Sequence, residues 1–111
     1  MSNSLKGIQE KQKEILAGIE HPRLGNVVGL YEEVGELSKE IMEIEFYGAS
    51  RQIELEDECA DVLFSLLSVC DSYKVDLEAA YEKKISKITG KIPDWIEKYG
   101  ANLSGLRNKL D

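Results

Sequence analysis

The fold is decided by two stretches, LYEEVGELSKE at residues 30–40 and LEDECADVLF at residues 55–64. Each carries two carboxylates at i, i+3 spacing among helix-forming residues, Glu33 and Glu36 in the first, Glu58 and Asp61 in the second. Residues three apart share one face of a helix, so each stretch presents two acidic groups side by side. Between Glu32 and Asp61 stand eleven of the chain's 21 acidic residues, against two basic ones, Lys39 and Arg51. Concentrating like charge costs repulsion, which is relieved either by solvation of that face or by a bound hard cation such as Mg²⁺.

Outward from these stretches, turn signals at His21-Pro22 with Gly25, Tyr47-Gly48, Asp71 to Asp76, Gly90 to Pro93 and Gly100 bound segments of helical length. No segment alternates with period two, so the chain reads as all-α. The pattern predicts an amphipathic helix over 4–20 with Leu5, Ile8, Ile15 and Ile19 as its apolar positions. A second helix should run from an Asn26 cap to about Phe46, and a third from a Ser50 cap to about Tyr73. Asp76 should cap a fourth, ended by Gly90 and kept from resuming by Pro93. Trp95 and Tyr99 then fall in a short helical turn ahead of a polar tail.

The second helix has an apolar stripe of Val27, Leu30, Val34, Leu37, Ile41 and Ile44, with Glu33, Glu36 and Glu40 displaced roughly 100° from it. The third repeats the layout, Leu55, Val62, Leu66, Val69 and Tyr73 forming the stripe and Glu54, Glu58 and Asp61 lying roughly 80° to the same side. Antiparallel helices joined by a short loop are related by an approximate two-fold axis, so equal offsets bring both acidic stripes to one face. Glu33, Glu36, Glu58 and Asp61 are thereby expected to converge. Leu63, Phe64, Leu67 and Cys70 occupy other sides of the third helix, which suggests burial on several sides, part of it by a second subunit.

At 111 residues and 42 % hydrophobic composition the chain fits one domain, with a core about 25–91 and a tail about 94–111, near the size where oligomerisation often supplements burial. A formal charge of −7 argues against nonspecific nucleic-acid or anionic-membrane binding. No stretch approaches the roughly 20 apolar residues of a membrane helix, and the polar start has no signal-peptide core, so a cytoplasmic protein is expected. Cys59 and Cys70, eleven residues apart on one helix, are separated by roughly 16 Å, beyond disulfide reach; buried packing is expected of both.

In residue order and context, the chain resembles the MazG-like, all-α nucleoside triphosphate pyrophosphohydrolases. Their signature, E-x-x-E followed by E-x-x-D, stands here as Glu33-Val34-Gly35-Glu36 and Glu58-Cys59-Ala60-Asp61, with 21 residues between, in the contexts EEVGEL and ECADVLFSLL. The resemblance covers about Gly25 to Lys91. It implies a MazG-like bundle built on an antiparallel hairpin with flanking helices, completed as a dimer or tetramer. It also implies that Glu33, Glu36, Glu58 and Asp61 bind Mg²⁺, with Mn²⁺ a possible substitute. The expected reaction is water attack at the α-phosphorus, giving a nucleoside monophosphate and pyrophosphate, with Glu33 and Glu36 equal candidates for the base. Lys84, Lys87 and Lys91, on one face of the following helix, are candidates for the substrate phosphates, although Ile88 stands where the family commonly has Asn. The nearest alternative activity is phosphoribosyl-ATP pyrophosphohydrolysis in histidine biosynthesis; from another class, a noncatalytic helical assembly protein would use the acidic face for solubility.

The remaining polar groups read more plainly. Glu32, Glu40, Glu43, Glu54 and Glu56 are expected at the surface, and His21 in a loop. With one histidine the chain cannot supply the paired Glu-x-x-His motifs of a di-iron bundle. Tyr31, Tyr47 and Trp95 are expected in core or subunit packing rather than stacked on a base.

Overall fold

The computed structural model describes residues 4–111. Four helices make up the fold: α1 (Leu5–Ile15), α2 (Arg23–Tyr47), α3 (Gln52–Ser72) and α4 (Leu77–Leu110), with no strand among the described residues. The all-α reading therefore holds. The chain divides into two compact units, one running up to Glu78 and one from Ala79 to Asp111.

In the first unit, α2 and α3 pack along each other as the expected hairpin. Gly48 ends α2 in the left-handed conformation at φ +63°, and the Ala49 N–H returns to the Glu43 carbonyl at 3.1 Å. This closure satisfies carbonyls that the helix end would otherwise leave open, and a side chain at Gly48 would meet the αL penalty. Neither expected cap is used: α2 begins at Arg23, behind Pro22, which places Asn26 inside the helix, and α3 begins at Gln52 behind Arg51 rather than at Ser50. Arg51 instead ties the hairpin together. Its Nε and Nη2 donate to the two oxygens of Glu40 at 2.8 and 2.9 Å, a two-pronged ion pair. Glu40, expected at the surface, is buried.

The deepest side chains are Leu67, 1 % exposed, and Cys70. Both lie off the main α3 stripe, on the side where a second subunit was considered, and this chain buries them itself. Their neighbours Leu63 and Phe64 remain exposed. Cys59 is exposed, contrary to expectation, while burial pushes the Cys70 thiol above its ordinary range.

The α1 helix departs most from the sequence reading. It stops at Ile15, and Ile15 and Ile19 are 70 % and 65 % exposed. The face turned toward α3 is Leu5, Gln9, Gln12 and Leu16, which also recur at helical steps. Gln9, buried, donates to Asp71 Oδ1 at 2.9 Å and the Val75 carbonyl at 2.8 Å, and accepts from the Leu77 N–H. Gln12 donates to the Phe64 carbonyl and Ser68 Oγ. Side-chain hydrogen bonds, those of Gln9 completing otherwise open backbone groups at Val75 and Leu77, select the docked face rather than the isoleucine stripe.

The second unit is formed by α4 from Ala79 on, which runs unbroken through Gly90 and Pro93. Gly90 is not in the positive-φ region, so it does not cap, and Pro93 removes one helical hydrogen bond without ending the helix. Four further turns carry the helix through what the sequence suggested was a tail to Leu110, by a rise of about 1.5 Å per residue. Tyr31 and Tyr47 on α2 lie outside the core of this chain, exposed on its surface.

Gly48→Ala should lower stability by about 1 kcal/mol through the left-handed cap, read as a reduced urea midpoint with an unchanged slope. The ion pair holds the Glu40 carboxyl below its ordinary value of 4.5, first through the Arg51 hydrogen bond. A depressed carboxylate contributes stability at pH above 4.5 and loses it as pH falls through its folded value. The stability gap between wild type and Arg51→Met should accordingly be widest near neutrality and close in acid, measured by urea unfolding across pH.

Candidate functional site

Glu33 on α2 and Glu58 and Asp61 on α3 meet across the hairpin, with one carboxylate oxygen from each lying within 4.8 Å of the others. The geometry follows from the helices. Glu58 and Asp61 are three residues apart on α3, one above the other, and the packed antiparallel partner sets Glu33 opposite them. All three are half-buried. Glu36, one turn along α2, is exposed and outside this tight group.

Glu58 sits at the electrostatic centre. Loss of solvation first, then the charges of Asp61, Glu33 and Glu36, push its carboxyl above the ordinary range, so the charge of Glu36 reaches it even though its oxygens do not join the group. One oxygen, Oε2, is enclosed and accepts no hydrogen bond. A buried acceptor without a donor is costly. Three hard oxygens converging around an unmet acceptor match what a divalent cation such as Mg²⁺ takes: carboxylate ligands, with remaining positions for water or phosphate. The donor set fits a hard cation, and Cys59 beside it is exposed and unpaired with any other cysteine.

Lys84, Lys87 and Lys91 are exposed on α4, in the unit that begins at Ala79. Glu54 lies 3.8 Å from Arg51 at the start of its own helix, and so pairs with the residue that clamps Glu40 and is not part of the acidic group.

The sequence reading passed over a polar chain two turns from the carboxylates. Asn26 Nδ2 donates to Ser72 Oγ at 2.6 Å, and Ser72 Oγ donates to the Ser68 carbonyl at 2.9 Å. The signal was present: Asn26 is seven residues before Glu33, and Ser68 seven after Asp61, which on antiparallel helices moves both in the same direction along one face.

The chain matches the family model described as the MazG nucleotide pyrophosphohydrolase domain over residues 23–96, more than half of its length. It belongs to the MazG family. The matched region contains all four carboxylates and the whole of the hairpin that carries them. No curated protein and no solved structure gives a match. Membership brings with it action on nucleotides and, in general, dependence on a divalent metal, for which the acidic group of this MazG domain offers ligands. No helix of the described residues is long and apolar enough to cross a membrane.

Mutual repulsion makes a direct prediction. Glu58→Gln removes the most strained charge, so without metal the variant should melt at or above the wild-type temperature. Wild type should gain several degrees in millimolar Mg²⁺ and lose them in EDTA, by linkage of binding to folding. Glu58→Gln should lose that gain, as read by thermal unfolding with and without the ion.

Proposed function

We propose that this MazG-family chain is a Mg²⁺-dependent nucleoside triphosphate pyrophosphohydrolase, cleaving NTPs or dNTPs between the α- and β-phosphates to release a monophosphate and pyrophosphate. The observation that carries the reading is the convergence of Glu33, Glu58 and Asp61 from two helices within 4.8 Å, inside the region matched by the family. Mn²⁺ would serve in place of Mg²⁺, because both accept an all-oxygen ligand set. We assign the metal to Glu33, Glu36, Glu58 and Asp61, with Glu36 reaching in from its exposed position. When bound, the ion would neutralise phosphate charge and make a water more acidic.

The chain's own groups supply the rest. A carboxylate of Glu33 or Glu36 takes the proton of the attacking water as its oxygen bonds to the α-phosphorus and the bond to the pyrophosphate oxygen breaks. Glu58 and Asp61 are the fixed anchors, held by the half-buried side of α3. Lys84, Lys87 and Lys91 would contact the phosphates, their positive charge answering an otherwise acidic surface. We read the two compact units as one domain spanning 1–111, working as a cytoplasmic dimer or tetramer in nucleotide-pool clearance.

Phosphorus NMR on the purified protein with NTPs, dNTPs and phosphoribosyl-ATP, in Mg²⁺ and in EDTA, tests the reading. Pyrophosphate with a nucleoside monophosphate is expected, only with the ion. Preference for phosphoribosyl-ATP would move the enzyme to histidine biosynthesis, orthophosphate release would contradict the cleavage site, and no turnover would favour a noncatalytic assembly. Glu36→Gln and Asp61→Asn should each lose activity by at least about 100-fold, in the range of a lost acid–base or charge-stabilising group, while circular dichroism stays helical.

A further inference from the structure

We infer that the outward face of α2 pairs with the same face of a second copy, antiparallel and crossing at Gly35. This rests on the oligomer proposed above and adds the surface that joins its subunits.

The α2 helix carries two stripes, and only the one that runs from Val27 to Ile44 is used against α3. A second recurs at steps of three and four through Leu24, Val28, Tyr31, Gly35, Ser38, Met42 and Phe46, and every one of these positions is exposed. At 100° per residue this face lies roughly 115° from the first stripe and roughly 145° from the mean direction of Glu33 and Glu36. A partner seated on it therefore leaves the acidic group open to substrate. At its centre a Cβ on Gly35 would meet nothing within 4 Å. Five large apolar side chains on one helix face, unused by the chain that carries them, are what a partner helix covers.

The occupant is a second copy because the face is complementary to itself. A two-fold axis at Gly35 sets residues equally far before and after it opposite one another. Val28 then meets Met42, each seven residues from Gly35, and Leu24 meets Phe46, each eleven away. The bulk of Tyr31 falls beside Ser38, whose hydroxyl donates to the Val34 carbonyl of its own helix at 3.0 Å and so brings no unmet donor to the face. Gly35, having no side chain, lets the two backbones approach. Charge follows the same symmetry. Glu32 and Lys39 flank the stripe on one side, three residues before Gly35 and four after it, so in the antiparallel pair Glu32 of each copy meets Lys39 of the other. Neither residue is in an ion pair among the described residues. A parallel pair in register would instead set Lys39 on Lys39, Glu32 on Glu32 and Tyr31 on Tyr31, which like charge and bulk both oppose.

Charge reversal tests the pairing. Measured by analytical ultracentrifugation of the full chain, Glu32→Lys and Lys39→Glu should each raise the subunit dissociation constant at least tenfold. The double variant Glu32→Lys/Lys39→Glu should return it to within threefold of wild type, a rescue that damage to the fold would not give. In a Cys59→Ser background, Gly35→Cys should form a disulfide-linked dimer on mild oxidation, because helix axes about 8–10 Å apart leave facing Cα atoms roughly 4–5 Å apart. Glu10→Cys, exposed on α1, should stay unlinked under the same conditions. Weakening by the single reversals without rescue by the double variant would overturn the antiparallel crossing. An oligomer unmoved by the reversals and unlinked through Gly35→Cys would sit on another face, overturning this assignment alone. A wild type that sediments as a monomer would end the oligomer reading with it, and leave the hydrolase reading to the phosphorus NMR.

Discussion

Like charge held at close range by helix packing is the constraint on which this structure turns. Glu33, Glu58 and Asp61 would separate if their side chains were free, and they are brought together because α2 and α3 are packed along their apolar stripes. The hairpin is secured near its closed end by the left-handed turn at Gly48 and by the Arg51 clamp on Glu40, two helical turns or more from Glu33 and Glu58 along the chain. The favourable interactions and the strained site are thus kept in different places. That separation lets the site keep an unmet acceptor on Glu58 while the fold around it remains ordered.

The hairpin, its polarity and the convergence of the acidic stripes could be read from the sequence because they rest on periodicity, which the residues carry locally. Equal angular offsets of Glu33 and of Glu58/Asp61 from their stripes were enough to place them on one face. The exposed position of Glu36 was not readable, since side-chain reach depends on the packing of the pair and not on spacing. For the same reason Glu40 passed as a surface group: its partner, Arg51, lies across a turn whose geometry comes from Gly48.

Errors at α1 and α4 have a different origin. Apolar pattern favoured Ile8, Ile15 and Ile19 as the α1 face, whereas Gln9 and Gln12 won, Gln9 because the Val75 carbonyl and the Leu77 N–H between α3 and α4 needed partners. No local rule ranks an amide above an isoleucine without knowing what it will face. At α4 the breaker residues Gly90 and Pro93 were weighed as stops, and a long helix absorbed them, each costing a local amount that the surrounding turns outweigh. Asn26 is the most instructive case: its side chain is capable of capping, yet the helix starts three residues earlier and turns that capacity inward toward Ser72.

The glutamine docking of α1 separates two properties that usually go together. Apolar contact is tolerant of sliding, but an amide that must meet Asp71 Oδ1 and the Val75 carbonyl has one register, so α1 is positioned with accuracy. Each such bond contributes only about 1 kcal/mol against water, and the isoleucines that would add adhesion face outward. The α1 helix is therefore accurately placed and weakly held. Its amides belong at the low-protection end of the molecule, opening without the hairpin having to unfold.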